Sequence, residues 1–128
     1  MPSRDGLTAQ AQLFQALSHP IRLRILDILS RQEACVCHLT CILSQRQPYV
    51  SQQLATLREA GLVTDRRDGT LIYYRLADER LTHLLSESRA VVRDLAGVQP
   101  GSSRPLDFPP VPDEPLADCP CPRCQGEI

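Results

Sequence analysis

The sequence predicts a mainly α-helical domain carrying one β-hairpin, in the order α-α-α-α-β-β-α, followed by a disordered proline-rich C-terminal tail. Three observations predict it. Apolar residues recur at helical spacing through most of the chain before Gly97. Two β-rich runs flank Asp68-Gly69, a strong hairpin signal. Composition then changes abruptly, with eight of the 11 prolines falling between Pro100 and Pro122. Such a segment cannot form a helix or a central strand. Residues 1–97 therefore read as one folded domain and 98–128 as a flexible tail, which suits a 128-residue chain when domains run to about 100–150 residues.

Each element has its own signal. Leu7, Ala11, Phe14 and Leu17 give the first helix its stripe, with Leu13 beside them, and His19-Pro20 interrupts the pattern. Pro20 suits the first turn of a second helix, whose buried stripe is Ile21, Ile25, Ile28 and Leu29. Val36, Leu39, Ile42 and Leu43 mark a short third helix. A polar turn follows, then a fourth helix from Pro48 to Ala60 that Gly61 ends. Leu62–Arg67 and Thr70–Leu76 are the hairpin strands, and a closing helix runs from about Asp78 to Ala96.

A short helix, a turn, a longer helix and a hairpin form the layout of a winged helix-turn-helix, whose second helix enters the DNA major groove. Double-stranded DNA is therefore the expected partner. On the fourth helix Gln47, Tyr49, Ser51, Gln52 and Gln53 can exchange hydrogen bonds with base edges or phosphates, and Val50, Leu54 and Leu57 lie opposite. Arg66, Arg67 and Thr70 near the hairpin tip can straddle backbone phosphates. The net charge of −1 excludes a generally basic coat, yet all 14 basic residues are arginines, and the body carries +2 against −3 in the tail. No apolar run reaches the ~20 residues of a membrane span, and the start lacks a secretory pattern, so the expected location is the cytoplasm.

Six cysteines in a cytoplasmic chain point to metal or redox chemistry rather than structural disulfides. They form two clusters: Cys35, Cys37 and Cys41, and Cys119, Cys121 and Cys124. Thiolates select soft or borderline ions. Cys37 and Cys41 share a helix face, while Cys35 precedes the helix as a flexible third ligand near the positive end of its dipole. The tail thiols, separated only by Pro and Arg, form a compact chelating segment. Either each cluster binds its own ion, or tail thiols complete the site of Cys35 and Cys37. Among His19, His38 and His83 only His38, beside the thiols, stays open as a ligand.

The stretch from Leu17 to Leu76, with HPIRLRILDIL, ACVCHL, VSQQLATLREAGLV and RRDGTLIYYRL, resembles the ArsR/SmtB family of bacterial metal-sensing repressors. The resemblance implies a homodimer built on the first and last helices, and a repressor that releases operator DNA when metal binds. Cys35-Val36-Cys37 is similar to the motif of arsenic-, antimony-, cadmium- and lead-sensing members. It implies As(III), Sb(III), Cd(II) or Pb(II) as the inducing ion. Where the arsenic-type motif reads CVCDLC, this chain has CVCHLT and then Cys41, so His38 replaces Asp and the third cysteine is displaced by one position. The family's other site, on the last helix, is matched by Asp78 but not by Arg80, Val91 and Asp94, which places Zn(II) behind the softer ions. At the fourth helix's N-cap, commonly Ser or Thr in the family, stands Arg46. An alternative within the same fold is a thiol redox switch. A metal-storage protein built on the tail is a further rival. An enzyme is not expected, because His38 is the only nearby base and nothing orients it.

Overall fold

The computed structural model describes residues 5–98, 106–113, 115–117 and 119–126. Five helices and three strands are present among them: α1 (Gly6–Leu17), α2 (Pro20–Arg31), β1 (Ala34–Cys35), α3 (Val36–Leu43), α4 (Gln47–Glu59), β2 (Val63–Asp68), β3 (Leu71–Leu76) and α5 (Arg80–Val98). None of these helices is long and apolar enough to cross a membrane.

Local chemistry sets the boundaries. Asp5 caps α1 by accepting the Leu7 N–H at 3.3 Å, and His19 caps α2 by accepting the Ile21 N–H on Nδ1 at 3.2 Å, with Pro20 in the first turn. That bond leaves the proton on Nε2 of His19, which faces the Tyr49 hydroxyl at 3.4 Å. The end of α4 is a Schellman motif. Gly61, at φ +78°, donates to the Arg58 carbonyl, and the Leu62 N–H reaches back to the Leu57 carbonyl, both at 3.0 Å. As expected, the N-cap of α4 is Arg46, and its side chain makes no capping bond.

Two elements differ from the sequence reading. The hairpin turn is Gly69-Thr70 rather than Asp68-Gly69, because Asp68 pairs with Leu71 and Gly69, at φ +63°, takes the first turn position, where a positive φ is required. The sequence also hid β1. Ala34 pairs with Tyr74 and Cys35 with Tyr73, giving an antiparallel sheet of order β1-β3-β2. Cys35 is thus fixed in a strand and is not the flexible ligand expected.

The core lies where α2, α3 and α4 meet the base of the wing. Ile25, Leu26, Leu39, Val50, Leu54 and Leu57 are completely buried, and Leu62 and Val63 extend the core into the hairpin. This packing fixes α3 against α4, as a helix-turn-helix requires. Leu7 and Phe14 on α1, and Val91, Val92 and Leu95 on α5, remain exposed.

The described tail segments form neither helix nor strand, as their composition predicts, but they are docked rather than disordered. Arg24 donates to the carbonyls of Pro109 at 2.6 Å and Pro110 at 3.0 Å. Arg93 stacks its guanidinium 4.7 Å from the Phe108 ring centre, and Val111 is buried against the core. Proline lacks an N–H but keeps its carbonyl acceptor, and a stiff chain loses little entropy on docking. The sequence reading of residues 99–105, Glu114, Asp118, Glu127 and Ile128 lies outside the described residues, as do residues 1–4.

Candidate metal centre and nucleic-acid interface

The first turn of α3 is the meeting point of both cysteine clusters. Cys35 ends β1 and occupies the N-cap of α3 with extended backbone, so Cys37 and His38 follow as its second and third helical residues. The C-terminal segment returns to this point and turns through residues 121–126, where Gln125 donates its backbone N–H to the Cys121 carbonyl at 3.0 Å and its side-chain amide to the Cys119 carbonyl at 2.7 Å. Arg123 anchors the turn by donating to the Glu33 carbonyl at 2.6 Å. Cys35, Cys119 and Cys121 are buried together, ringed by Cys37, Cys41, Cys124, Tyr73 and Leu116.

Two groups of donor atoms result, each with all members within 4.8 Å of one another: Cys35, Cys37 and Cys121, and His38, Cys119, Cys121 and Cys124. Cys121 belongs to both. None of the six cysteines is joined in a disulfide. The sulfurs of Cys35 and Cys37 stand 2.8 Å apart. Around Nδ1 of His38 the sulfurs of Cys124, Cys121 and Cys119 lie at 3.3, 3.8 and 3.9 Å. Cys41, one turn further along α3, packs against the cluster but joins neither group.

Electrostatics divide the thiols. Burial and the contact with Cys37 push the Cys35 thiol up to about 12, and burial raises Cys119 as well. Burial also opposes ionisation of Cys121, but the Cys124 backbone N–H and the neighbouring thiols of Cys119, Cys124 and Cys35 outweigh it and hold Cys121 below the usual thiol value. Burial, aided by the nearby Arg123 charge, lowers His38, so its imidazole is neutral and able to donate a lone pair. The site thus combines two buried thiols that hold their protons, Cys35 and Cys119, with one that ionises more readily, Cys121. It suits an ion that displaces protons from sulfur.

On the DNA side, Gln47, Ser51 and Gln52 are exposed on α4, and Arg67 and Thr70 are exposed on the wing. Tyr49 and Gln53 are half-buried. The Tyr49 hydroxyl also ties α4 to His19 at the start of α2. Arg66 is also engaged within the domain. Its guanidinium pairs with Glu33 through two bonds, the Nε bond at 3.1 Å, and lies 4.6 Å from the Tyr73 ring centre. That pair holds the Glu33 carboxyl below its usual range. Because Tyr73 faces Cys35 across the sheet and the Glu33 carbonyl holds Arg123, the wing and the sulfur cluster share a bonded path. Sequence spacing gave no signal for it: Glu33 and Arg66 are 33 positions apart.

Residues 19–65 match the family profile described as bacterial regulatory protein, arsR family. A transcriptional repressor SmtB homolog of Synechocystis is 42% identical over 85 residues, covering 66% of this chain and 64% of that protein. The chain therefore spans a little under two thirds of that relative's length. The arsenical resistance operon repressor of Escherichia coli is 40% identical over 97 residues, covering 66% of this chain and 83% of the repressor. Among solved structures, Mycobacterium tuberculosis Rv0081 superposes with a TM-score of 0.68 at 33% identity, over 74% of this chain and 96% of Rv0081. The homodimeric winged helix-turn-helix DNA-binding domain of Mycobacterium bovis Mb0332 gives 0.64 at 28% identity, over 81% of this chain and 99% of that domain.

Proposed function

The chain belongs to the ArsR family of bacterial regulatory proteins, and from that premise we propose that it is a cytoplasmic homodimeric repressor that holds operator DNA in the metal-free state and releases it when a thiophilic ion binds. The ion is As(III), Sb(III), Cd(II) or Pb(II), held by Cys35, Cys37 and Cys121. The observation that carries this reading is the convergence of those three sulfurs within 4.8 Å of one another.

DNA recognition rests on the exposed residues of α4, Gln47, Ser51 and Gln52, with Arg67 and Thr70 of the wing against phosphate. The exposed apolar residues of α1 and α5 supply the dimer interface, which sets two recognition helices against a pseudo-palindrome. The SmtB homolog and the arsenical resistance operon repressor carry repression in their names.

Release follows from where the sulfurs are mounted. Cys35 sits in β1, paired with the wing strand β3, and Cys37 sits in the first turn of α3, packed on α4. Cys121 is on the C-terminal segment. As Cys35 and Cys37 give up their protons and close on one centre with Cys121, β1, α3 and the tail become one rigid unit. The relative setting of α4 and wing that fits the groove is then penalised. Allosteric coupling of the usual size, ~1–3 kcal/mol, lowers operator affinity about 5–150-fold. In the redox alternative Cys121 is the thiolate that an oxidant would attack, whereas Cys35 holds its proton to about 12, so a response to peroxide without metal separates the two readings.

The test is fluorescence anisotropy on an operator selected by the protein from random duplexes, titrated with arsenite, antimonite, Cd(II) or Pb(II). The expected result is metal-induced release by the wild type and none by Cys35→Ser or Cys37→Ser. Release that persists in both variants, or that peroxide alone produces, overturns the proposal.

A further inference from the structure

The second donor group has a geometry of its own. Bonds of ~2.3 Å to sulfur and ~2.0 Å to nitrogen at tetrahedral angles place S and N donors ~3.5 Å apart. The three sulfurs around Nδ1 of His38 lie at 3.3, 3.8 and 3.9 Å, so the three edges that meet at the nitrogen corner are already near that length, and all four donors lie within 4.8 Å of one another. Its donors are buried apart from the half-buried Cys124, and no corner is left for water, which is the character of a closed structural site rather than a catalytic one. Its charge is also provided for. Three thiolates around a divalent ion leave a net −1, and Arg123 lies in the same turn with its Nη1 buried and unpartnered among the described residues.

We propose that His38, Cys119, Cys121 and Cys124 form a second metal site, closed and tetrahedral, for a borderline divalent ion of the zinc class, which clamps the C-terminal segment onto α3 and, by sharing Cys121, presets the third sulfur of the sensing group. The clamp stands on these four donors alone; only the presetting of Cys121 rests on the sensing role proposed for Cys35 and Cys37. On loading, the thiols among Cys119, Cys121 and Cys124 lose their protons to buffer, neutral His38 donates from Nδ1 with its proton on Nε2, and no electron is transferred. A thiolate held by one ion still has lone pairs for another, so Cys121 can bridge to an ion at Cys35 and Cys37.

The experiment uses the full chain carrying Cys37→Ser, which removes a sulfur of the sensing group and none of the second, with Co(II) and Zn(II) as probes. The expected result is one ion per chain, a tetrahedral Co(II) spectrum with sulfur charge-transfer bands, and an X-ray absorption shell of three sulfurs and one nitrogen. Adding His38→Ala should remove the nitrogen and weaken Co(II) binding at least tenfold. His38→Cys should restore binding with four sulfurs, which separates loss of a ligand from loss of the fold. No ion taken up by the Cys37→Ser chain, or a nitrogen shell that survives His38→Ala, overturns the clamp. Failure of the sensing reading shows differently, as an operator complex indifferent to arsenite and Cd(II) while the zinc-class site stays intact.

Discussion

Replacing the wing arginines Arg66 and Arg67 separately tests whether adjacent residues of one strand do different work. Arg67 is exposed and has no ion-pair partner among the described residues, whereas Arg66 is bonded to Glu33, lies 3.9 Å from Asp68 and stacks on Tyr73. An arginine that neutralises one phosphate contributes ~0.9 to the slope of log affinity against log salt. A dimer presents two wings, so Arg67→Ala should flatten that slope by ~1.8, and doubling the salt should cost the variant about 3.5-fold less affinity than it costs the wild type. Arg66→Ala should leave the slope unchanged, because its charge is already matched within the domain. Anisotropy on the selected operator, from low to moderate salt, measures both. Equal flattening in the two variants, or none in Arg67→Ala, would refute the assignment.

Leu54 on α4 is completely buried, so Leu54→Ala should cost ~2–5 kcal/mol in urea unfolding, and a loss under ~1 kcal/mol would mean that α4 is not packed as described. Leu95 is 61% exposed on α5, so Leu95→Arg should leave secondary structure intact while sedimentation shows a monomer; a persisting dimer places the interface elsewhere. Asp78 accepts the Arg80 N–H at 2.8 Å and its guanidinium at 2.7 Å, which holds its carboxyl at about 2. A carboxyl lowered in the folded state stabilises the protein above its ordinary value of 3.8, and that contribution disappears as pH falls towards 2. The melting-temperature advantage of wild type over Asp78→Asn should therefore shrink across that window, and a constant difference would show that the ionised carboxylate contributes nothing.

The helices were legible because each signal is local. The apolar stripe of α2, Pro20 in its first turn and Gly61 beyond α4 all act within a few residues of the boundary they set. The hairpin was legible in place but not in register, since Asp68-Gly69 and Gly69-Thr70 are both plausible turns and only the pairing of Asp68 with Leu71 decides between them. A two-residue strand has no periodicity, so β1 could be found only through its pairing with distant Tyr73 and Tyr74. The two cysteine clusters were legible as candidate ligands, but spacing did not say which sulfurs come together. Proline content signalled absence of regular structure in the tail, whereas docking depends on Arg24, Phe108 and Val111 finding partners across the domain. That Arg66 and Tyr49 already have partners within the domain was not legible, because Glu33 and His19 stand 33 and 30 positions away and no local pattern carries those pairings.

The central claim is that holding an ion between β1, α3 and the tail is incompatible with α4 lying in the groove, and linkage makes it measurable from the metal side. Cd(II) affinity, determined by competition with a chelator, should be weaker for the operator-bound dimer than for the free dimer, by the same factor by which Cd(II) lowers operator affinity, about 5–150-fold. Equal Cd(II) affinities in the presence and absence of operator would contradict the account.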